Sequence, residues 1–310
     1  MKTKRILNSC LQTIGTIIMT TALVSCGFMN TGKGNGNGNG KDQSPLSKKE
    51  HYDQIEVPSS FSEARETITI DGVSFTMIRV EGGSCYLGAQ SKDAEGQNYD
   101  PDAKDEDGPV HLDTIKTFYI GETEVTQALW TALTGDDSLE KNPPQFESAV
   151  SYDEIGPQRP MCFVSMLNSN RFINILNEVT GCKFRLPTEA EWEFAARGGN
   201  KSKGYKYSGS DNLDEVAWYR GNTDGKGSHD VKTKAPNELG LYDMSGNISE
   251  WVSDEWYYFP HTDTPMTCRI HRGGCWMSQP EDCHVSARNG EDEAAGFNVI
   301  GFRLALEVNE

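Results

Sequence analysis

We expect no packed core from the N-terminal 66 residues, because they combine a targeting signal with a low-complexity run. Lys2, Lys4 and Arg5 precede an apolar stretch from Ile14 to Val24, which is too short and too mixed for a membrane-spanning helix. The run "GKGNGNGNGK" that follows buries nothing and behaves as a flexible coil. A packed core therefore has to come from residues beginning near Thr67.

The apolar stretch ends in "LVSC", which resembles the signal of bacterial lipoproteins. We therefore predict a signal peptide at 1–25, lipidation (palmitate) of Cys26 and a lipid-anchored flexible linker at 26–66. The alternative is an ordinary secretory signal that happens to contain a cysteine. Either signal excludes a cytoplasmic location, and the first predicts attachment to a membrane of the bacterial cell envelope, in the periplasm or at the outer membrane.

The net charge and the cysteine content argue against several classes of function. The formal net charge of -17 repels phosphate backbones, so we expect no nucleic-acid partner. Beyond Cys10 and Cys26 six cysteines remain, and an exported compartment permits disulfides among them. The chain contains no CxxC, so neither a zinc ribbon nor a thioredoxin motif is indicated.

Local patterns predict short elements separated by many turns. "TITIDGVSFTMIRV" (67–80) predicts a hairpin with its turn at Asp71-Gly72, and 118–125 predicts a strand. Thr126 and Gly135 can bound a short helix. The acidic segment 91–109 lacks the ligand spacing of an EF-hand and predicts a solvated loop rather than a metal site.

Two further helices and a last strand follow. Phe172, Ile175, Leu176 and Val179 form one apolar face of a helix near 165–179. Thr188-x-x-Glu191 forms a capping box for a helix that ends near Arg197. The segment "GFRLALEV" (301–308) predicts the terminal strand.

Four motifs carry a resemblance to a known family. "FYIGETEVTQALW", "RLPTEAEWEFAARGG", "GLYDMSGNISEWVSDEWY" and "RGGCWMSQPEDC", with "GFRLAL", occur in an order similar to that of formylglycine-generating enzymes, the sulfatase-modifying-factor family. The resemblance implies an α+β fold at 67–310, a single compact domain with little regular secondary structure, related to C-type-lectin-like folds.

The family includes three functional branches, and the site has to distinguish them. Some members oxidise a cysteine of sulfatases to formylglycine with copper and O2. Others are iron-dependent enzymes that join sulfur to histidine derivatives and need a histidine-rich motif, which this chain lacks. Many exported or lipid-anchored members have no known chemistry.

The resemblance places the two copper-ligand cysteines of oxidising members at Ser278 and Cys283. A hydroxyl is a poor ligand for Cu(I), so we predict that copper does not bind. Cys275 could replace the missing ligand, but if 271–276 is a strand its side chain has a different reach and direction. A disulfide to another cysteine or a buried free thiol is the other interpretation of Cys275.

For calcium, the resemblance implies a structural site at Ser245, Gly246, Ile248 and Glu250, built from backbone oxygens and one carboxylate. The alternative is that Asn247 and Glu250 only stabilise a tight turn. A second family calcium site needs an asparagine where this chain has Trp218, so we do not expect that site.

The remaining charged and aromatic residues have structural interpretations. Arg288 and Arg303 are expected to pair with buried carboxylates such as Glu189 or Glu193. Four tryptophans are expected in the core: Trp192, Trp251, Trp256 and Trp276.

We therefore predict a lipid-anchored envelope protein whose domain is a non-oxidising binding or assembly module. Its expected partners are the membrane, through the lipid, and an envelope protein or peptide, or a glycan. The alternative hypothesis is an active formylglycine-generating oxidase that uses Cys283 with an unusual second ligand.

Overall fold

A tight hairpin opens the largest sheet, at the turn that the sequence predicts. The strands Arg65–Ile70 and Val73–Val80 pair antiparallel with Ile70 opposite Val73. Asp71 and Gly72 have φ values of 47° and 78°, as a two-residue type I′ turn requires. The computed structural model describes residues 48–141, 155–258 and 266–308, so the predictions for 1–25 and Cys26 lie outside the described residues.

Twelve strands in the described ranges form three sheets. In chain order they are β1 (Ile55–Glu56), β2 (Arg65–Ile70), β3 (Val73–Val80), β4 (Gly83–Leu87), β5 (His111–Ile115), β6 (Phe118–Gly121), β7 (Phe184–Arg185), β8 (Ser249–Tyr258), β9 (Met266–Arg272), β10 (Arg288–Glu291), β11 (Ile300–Gly301) and β12 (Ala305–Glu307). The first sheet is antiparallel, in the order β1-β2-β3-β6-β12-β7. The second has the order β10-β9-β8-β11 with β11 parallel to β8, and β4 pairs with β5.

Five α-helices lie in the described ranges, and the three longest have capping residues at their first turn. They are α1 (Gln127–Thr134), α2 (Ser138–Lys141), α3 (Met166–Thr180), α4 (Glu189–Ala196) and α5 (Leu213–Val216). Thr126 and Ser165 cap α1 and α3 by accepting a backbone hydrogen bond, and left-handed Gly135 and Gly181 end them. Thr188 and Glu191 form the predicted capping box of α4. The α+β prediction is confirmed.

Two apolar cores hold these elements together. Helices α1 and α3 pack on the first sheet, with Trp130, Phe172 and Phe302 in mutual ring contact. Helix α4 packs on the second sheet through Trp192 and Phe194. Trp251 and Trp276 are buried as predicted. Trp256 packs against the second core but is only half-buried, with the Arg288 guanidinium over its ring.

Order begins before Thr67, so the predicted linker 26–66 extends too far. Tyr52, Val57 and Phe61 pack on the first core, and the Tyr52 hydroxyl donates to the Leu133 carbonyl. This segment carries aromatic and apolar residues that the Gly/Asn run lacks. Burial of these side chains offsets the conformational entropy that the segment loses when it becomes ordered.

Three other segments differ from expectation. The strand predicted at 118–125 is only Phe118–Gly121, and that at 301–308 is split into β11 and β12. The loop 91–109 is not fully solvated, since Asp100 and Asp107 are buried in it. None of the helices within the described ranges has the length and apolar character needed to cross a membrane.

Candidate functional site

A double-glycine turn after β9 creates the candidate site. Gly273 and Gly274 have φ values of 93° and 70°, which only glycine adopts without strain. A side chain at Gly274 would also collide with Cys283, since its Cβ would lie 2.9 Å from the Cys283 Sγ. The turn therefore brings the chain back onto residue 283 and fixes the geometry of the segment between.

Strand β9 ends at Arg272, so the strand considered at 271–276 is wrong. Beyond it the chain closes a turn in which the Ser278 amide donates to the Cys275 carbonyl and the Cys275 amide to the Ser278 Oγ. The Cys275 Sγ lies 3.4 Å from that Oγ. The thiol at 275 and the hydroxyl at 278 are therefore neighbours in a single turn.

Cys283 lies beneath this turn with 0% exposure. It packs in a small apolar cluster with Tyr207, Leu213 and Val216. Burial raises the pKa of the Cys275 thiol, and burial together with the nearby Cys275 raises the pKa of Cys283 well above its usual range. Both groups are therefore thiols, not thiolates, at neutral pH.

This donor set does not fit the copper site of the oxidising branch. The resemblance implies that Cu(I) is held there by two thiolates at the positions of Ser278 and Cys283, and residue 278 of this chain offers a hydroxyl. Cys275 is buried and forms no disulfide, so of the disulfide and the buried free thiol, the buried free thiol agrees with the structure.

The "SGNISE" segment packs against the double-glycine turn. The Ser245 hydroxyl donates to the Cys283 carbonyl, and the Gly246 amide donates to the Gly273 carbonyl. Ile248 is fully buried. The calcium residues expected from the sequence therefore lie next to the thiol site rather than in a separate part of the fold.

Glu250 is already engaged by a buried cation. Both of its oxygens accept hydrogen bonds from Arg303 at 2.6 Å, and its Oε2 also accepts from the Trp192 indole at 2.7 Å. Arg303 pairs with Glu250, not with Glu189 or Glu193 as predicted. The reason is that the residues between β11 and β12 point this guanidinium into the space between the two main sheets.

Two carboxylates that interact with Glu250, and that the sequence did not single out, each have an unsatisfied oxygen. Glu124 Oε2 and Asp243 Oδ1 are buried and have no hydrogen-bond partner among the described residues. Burial raises the pKa of both groups, and Glu250 adds to this in both. Calcium therefore fits this cluster only if Asp243 and Glu124, instead of Glu250 alone, supply the charge.

A second ionic network lies under α4. Arg272 contacts Glu193 at 2.6 Å and Glu189 at 3.2 Å, while Arg288 donates to Glu189 as predicted. Glu193 is also paired with Arg197 in the next helical turn. The buried Arg272 was missed, although its place directly before the double glycine marks it as the last residue of a buried strand.

Exposed apolar side chains flank the site. Met277 is 53% exposed and Phe297 is 44% exposed. The Trp276 indole donates to the Asn298 carbonyl, which ties the two segments together. Trp218 stacks on His229, with the Lys234 ammonium 4.2 Å from the ring centroid. We call Met277 and Phe297 the apolar rim.

Comparison with known proteins matches residues 67–308 to the sulfatase-modifying factor enzyme 1-like domain. The chain is 37% identical over 215 residues to the chaperone protein LppX of Paenibacillus barcinonensis, covering 56% of this chain and 74% of that protein. It is 27% identical over 296 residues to the formylglycine-generating enzyme of Streptomyces coelicolor, covering 75% and 89%.

Among solved structures, the Treponema denticola variable protein 1 is similar in fold. It aligns with a TM-score of 0.62 and 28% identity, over 79% of this chain and 99% of that one.

Proposed function

The chain belongs to the sulfatase-modifying factor enzyme 1-like domain family, and from that premise we propose that it is a lipid-anchored cell-envelope protein that binds or assembles an exported partner without oxidising it. The observation that carries the proposal is the donor set of the site: a hydroxyl at Ser278 above a buried, protonated Cys283. A copper oxidase of this family needs two thiolates at those positions.

The similarity to a chaperone supports the binding half of the proposal. LppX is called a chaperone protein, and the chain covers 74% of it. The apolar rim gives a means of contact, because exposed Met and Phe side chains bind apolar segments of peptides and proteins.

The oxidation test uses a peptide with the sequence pattern Cys-x-Pro-x-Arg, incubated with the protein, Cu(I) and O2. Mass spectrometry should find the thiol peptide unchanged, while the Streptomyces coelicolor enzyme converts it in a parallel reaction. Conversion of the thiol to the aldehyde by this protein would refute the non-oxidising proposal.

The binding test places a photo-crosslinking amino acid at Met277 in the full chain expressed in cells. We expect crosslinked adducts that are absent when the same group replaces Lys203, an exposed residue outside the rim. Equal labelling at the two positions, or none at either, would contradict a role for the rim.

Lipid anchoring is supported by the sequence of residues 1–25 and by Cys26. Labelled palmitate should be incorporated into the full chain and lost in Cys26→Ala. Cys10→Ala, which changes a cysteine inside the proposed signal peptide, is the matched control and should keep the label. Retention of label in Cys26→Ala would rule out this anchor.

We also propose one structural Ca²⁺ at the segment Ser245–Glu250, with Asp243 and Glu124 contributing charge. Its support is the excess of buried carboxylates over the single Arg303 in this cluster. Ca²⁺ should raise the thermal midpoint of the purified protein and a chelator should lower it. Asp243→Asn should weaken this response, whereas Asp224→Asn, at an exposed loop, should not. A midpoint that ignores Ca²⁺ would contradict the site.

A further inference from the structure

Three possible metal ligands meet at the residue next to Cys283 in the chain. Asp100 and Asp102 lie on the loop between β4 and β5, and His284 directly follows Cys283. One ligand atom from each lies within 4.8 Å of the others. Nearly two hundred residues of chain separate the aspartates from the histidine, so their meeting is a product of tertiary folding.

His284 is buried with 1% exposure, and the surroundings of its two ring nitrogens are unusual for a buried histidine. Its Nδ1 lies 2.6 Å from the Asp100 Oδ2, yet neither ring nitrogen has a hydrogen bond of acceptable geometry in the described residues. A buried imidazole nitrogen without a partner costs free energy. The Nδ1 contact with Asp100 has the distance of an ion pair but not the direction of a hydrogen bond, and Nε2 has no partner, so a ring nitrogen is available to a metal ion beside the carboxylate.

A cation already lies against this cluster. The Lys206 Nζ is 2.6 Å from the Asp102 Oδ2 and 3.4 Å from the Asp100 Oδ1. The side chain of Lys206 is partly exposed, so its ammonium can move into solvent without being buried elsewhere. The pair of aspartates therefore attracts positive charge, and the lysine acts as an internal competitor for the place of an ion.

We propose that Asp100, Asp102 and His284 bind a divalent first-row metal ion, for which Zn²⁺ is the probe, and that the ion displaces the Lys206 ammonium. Imidazole nitrogen and carboxylate oxygen are both ordinary zinc ligands, and water completes a four-coordinate site with three protein ligands. Ca²⁺ prefers six to eight oxygen ligands, so the imidazole selects against it. A bound ion would join the β4–β5 loop to the residue that follows Cys283.

The experiment measures Zn²⁺ affinity of the full chain in detergent by competition with a chromogenic chelator. The Lys206→Met variant removes the competing cation and should tighten binding by about tenfold. Asp102→Asn, at an exposed ligand, should weaken binding at least by the ten- to hundredfold that loss of an outer-sphere partner typically costs. Because these two substitutions act in opposite directions at partly exposed positions, loss of folding cannot imitate the pair.

Control variants separate this cluster from other ligands. Asp105→Asn changes an exposed carboxylate of the same loop that pairs with Lys92, and it should leave the affinity unchanged. Cys283→Ser should also leave it unchanged, which distinguishes the cluster from the neighbouring thiol. The proposal is overturned if Lys206→Met fails to tighten binding, if Asp102→Asn binds Zn²⁺ like the parent, or if Ca²⁺ competes equally.

Discussion

At the scale of single residues, burial decides the chemistry that the side chains can perform. Cys283 has no exposure and its pKa is raised by the apolar cluster around it and by Cys275. His271 and the Trp251 ring meet edge to face, and burial alone lowers the pKa of His271 to about 4. The same desolvation therefore keeps an acid protonated and a base unprotonated.

The thiols give a direct prediction. In the native reduced protein, a thiol-specific reagent near neutral pH should modify the half-buried Cys182 before Cys283, because a buried protonated thiol is a poor nucleophile. Cys182→Ser should remove one rapidly reacting thiol, whereas Cys283→Ser should not alter the rapid phase. Denaturant should expose Cys283, and rapid native labelling of that residue would show that the site is open.

His271 predicts a pH dependence of stability. Its pKa of about 4 in the folded protein is below the ordinary histidine value of 6.5, so the unfolded state binds more protons between these values. The contribution of His271 to stability is therefore complete above about 6.5 and falls as the pH drops toward 4, by the order of 3 kcal/mol. The raised pKa of Asp243 acts with the opposite sign in part of this range, so the test is a difference between proteins. Urea unfolding across this range should give a pH slope that differs by that amount between the parent and His271→Phe, and the same slope in the parent and in His51→Gln, an exposed histidine. Equal slopes in the parent and in His271→Phe would contradict the assignment to His271.

At the scale of secondary structure, capping side chains fix where the short helices begin. The Thr188 hydroxyl accepts from the Glu191 amide, and the Glu191 carboxylate accepts from the Thr188 amide. Glu191 also holds Arg185 of β7 through two contacts. The cap therefore connects α4 to the edge of the first sheet as well as ending the preceding loop.

Removal of this cap should destabilise the fold modestly. Thr188→Ala should lower the free energy of unfolding by about 1 kcal/mol, the usual cost of losing an N-cap hydroxyl. Thr188→Ser keeps the hydroxyl and should retain most of the stability. The measurement is chemical denaturation, in which the free energy of unfolding should depend on denaturant with the same slope in the three proteins. Equal losses of this free energy in the Ala and Ser variants would show that the threonine methyl group, not the hydroxyl, stabilises the helix.

At the scale of the whole molecule, one buried arginine joins the two sheets. Arg303 follows β11 and precedes β12, and it donates to Gly121 at the end of β6, to the Tyr242 carbonyl and to Glu250 in β8. Its contacts therefore link the first sheet, the second sheet and the segment that leads to the candidate site.

Breaking the Arg303–Glu250 pair should lower the free energy of unfolding substantially. Arg303→Met leaves Glu250 buried with the Trp192 indole as its remaining side-chain donor, and we expect a loss of about 3–5 kcal/mol. The double variant Arg303→Met, Glu250→Gln should be less destabilised than the sum of the single variants, since it leaves no buried unpaired charge. Arg269→Met, at a partly exposed pair with Glu255 and Glu293, is the comparison and should cost about 1 kcal/mol or less. Additive losses would contradict direct coupling.

Local sequence was sufficient where a short stretch determines its own conformation. The Asp71-Gly72 turn, the caps at Thr126 and Thr188, and the glycines that end α1 and α3 were all predicted, because each depends on residues within a few positions. The family resemblance extended this to the α+β fold. It also singled out Cys283, which the structure places against the double-glycine turn.

The sequence by itself indicated the signal-like N-terminus, the first hairpin and helices α1, α3 and α4, and the family resemblance implied that Ser278 stands where oxidising members have a cysteine. Only the tertiary structure decided that Arg303 pairs with Glu250, that Asp243 and Glu124 each have an unsatisfied oxygen near Glu250, and that Asp100 meets His284. The physical reason is that these contacts join residues far apart in the chain, and their partners depend on which groups the packing of two sheets removes from water together.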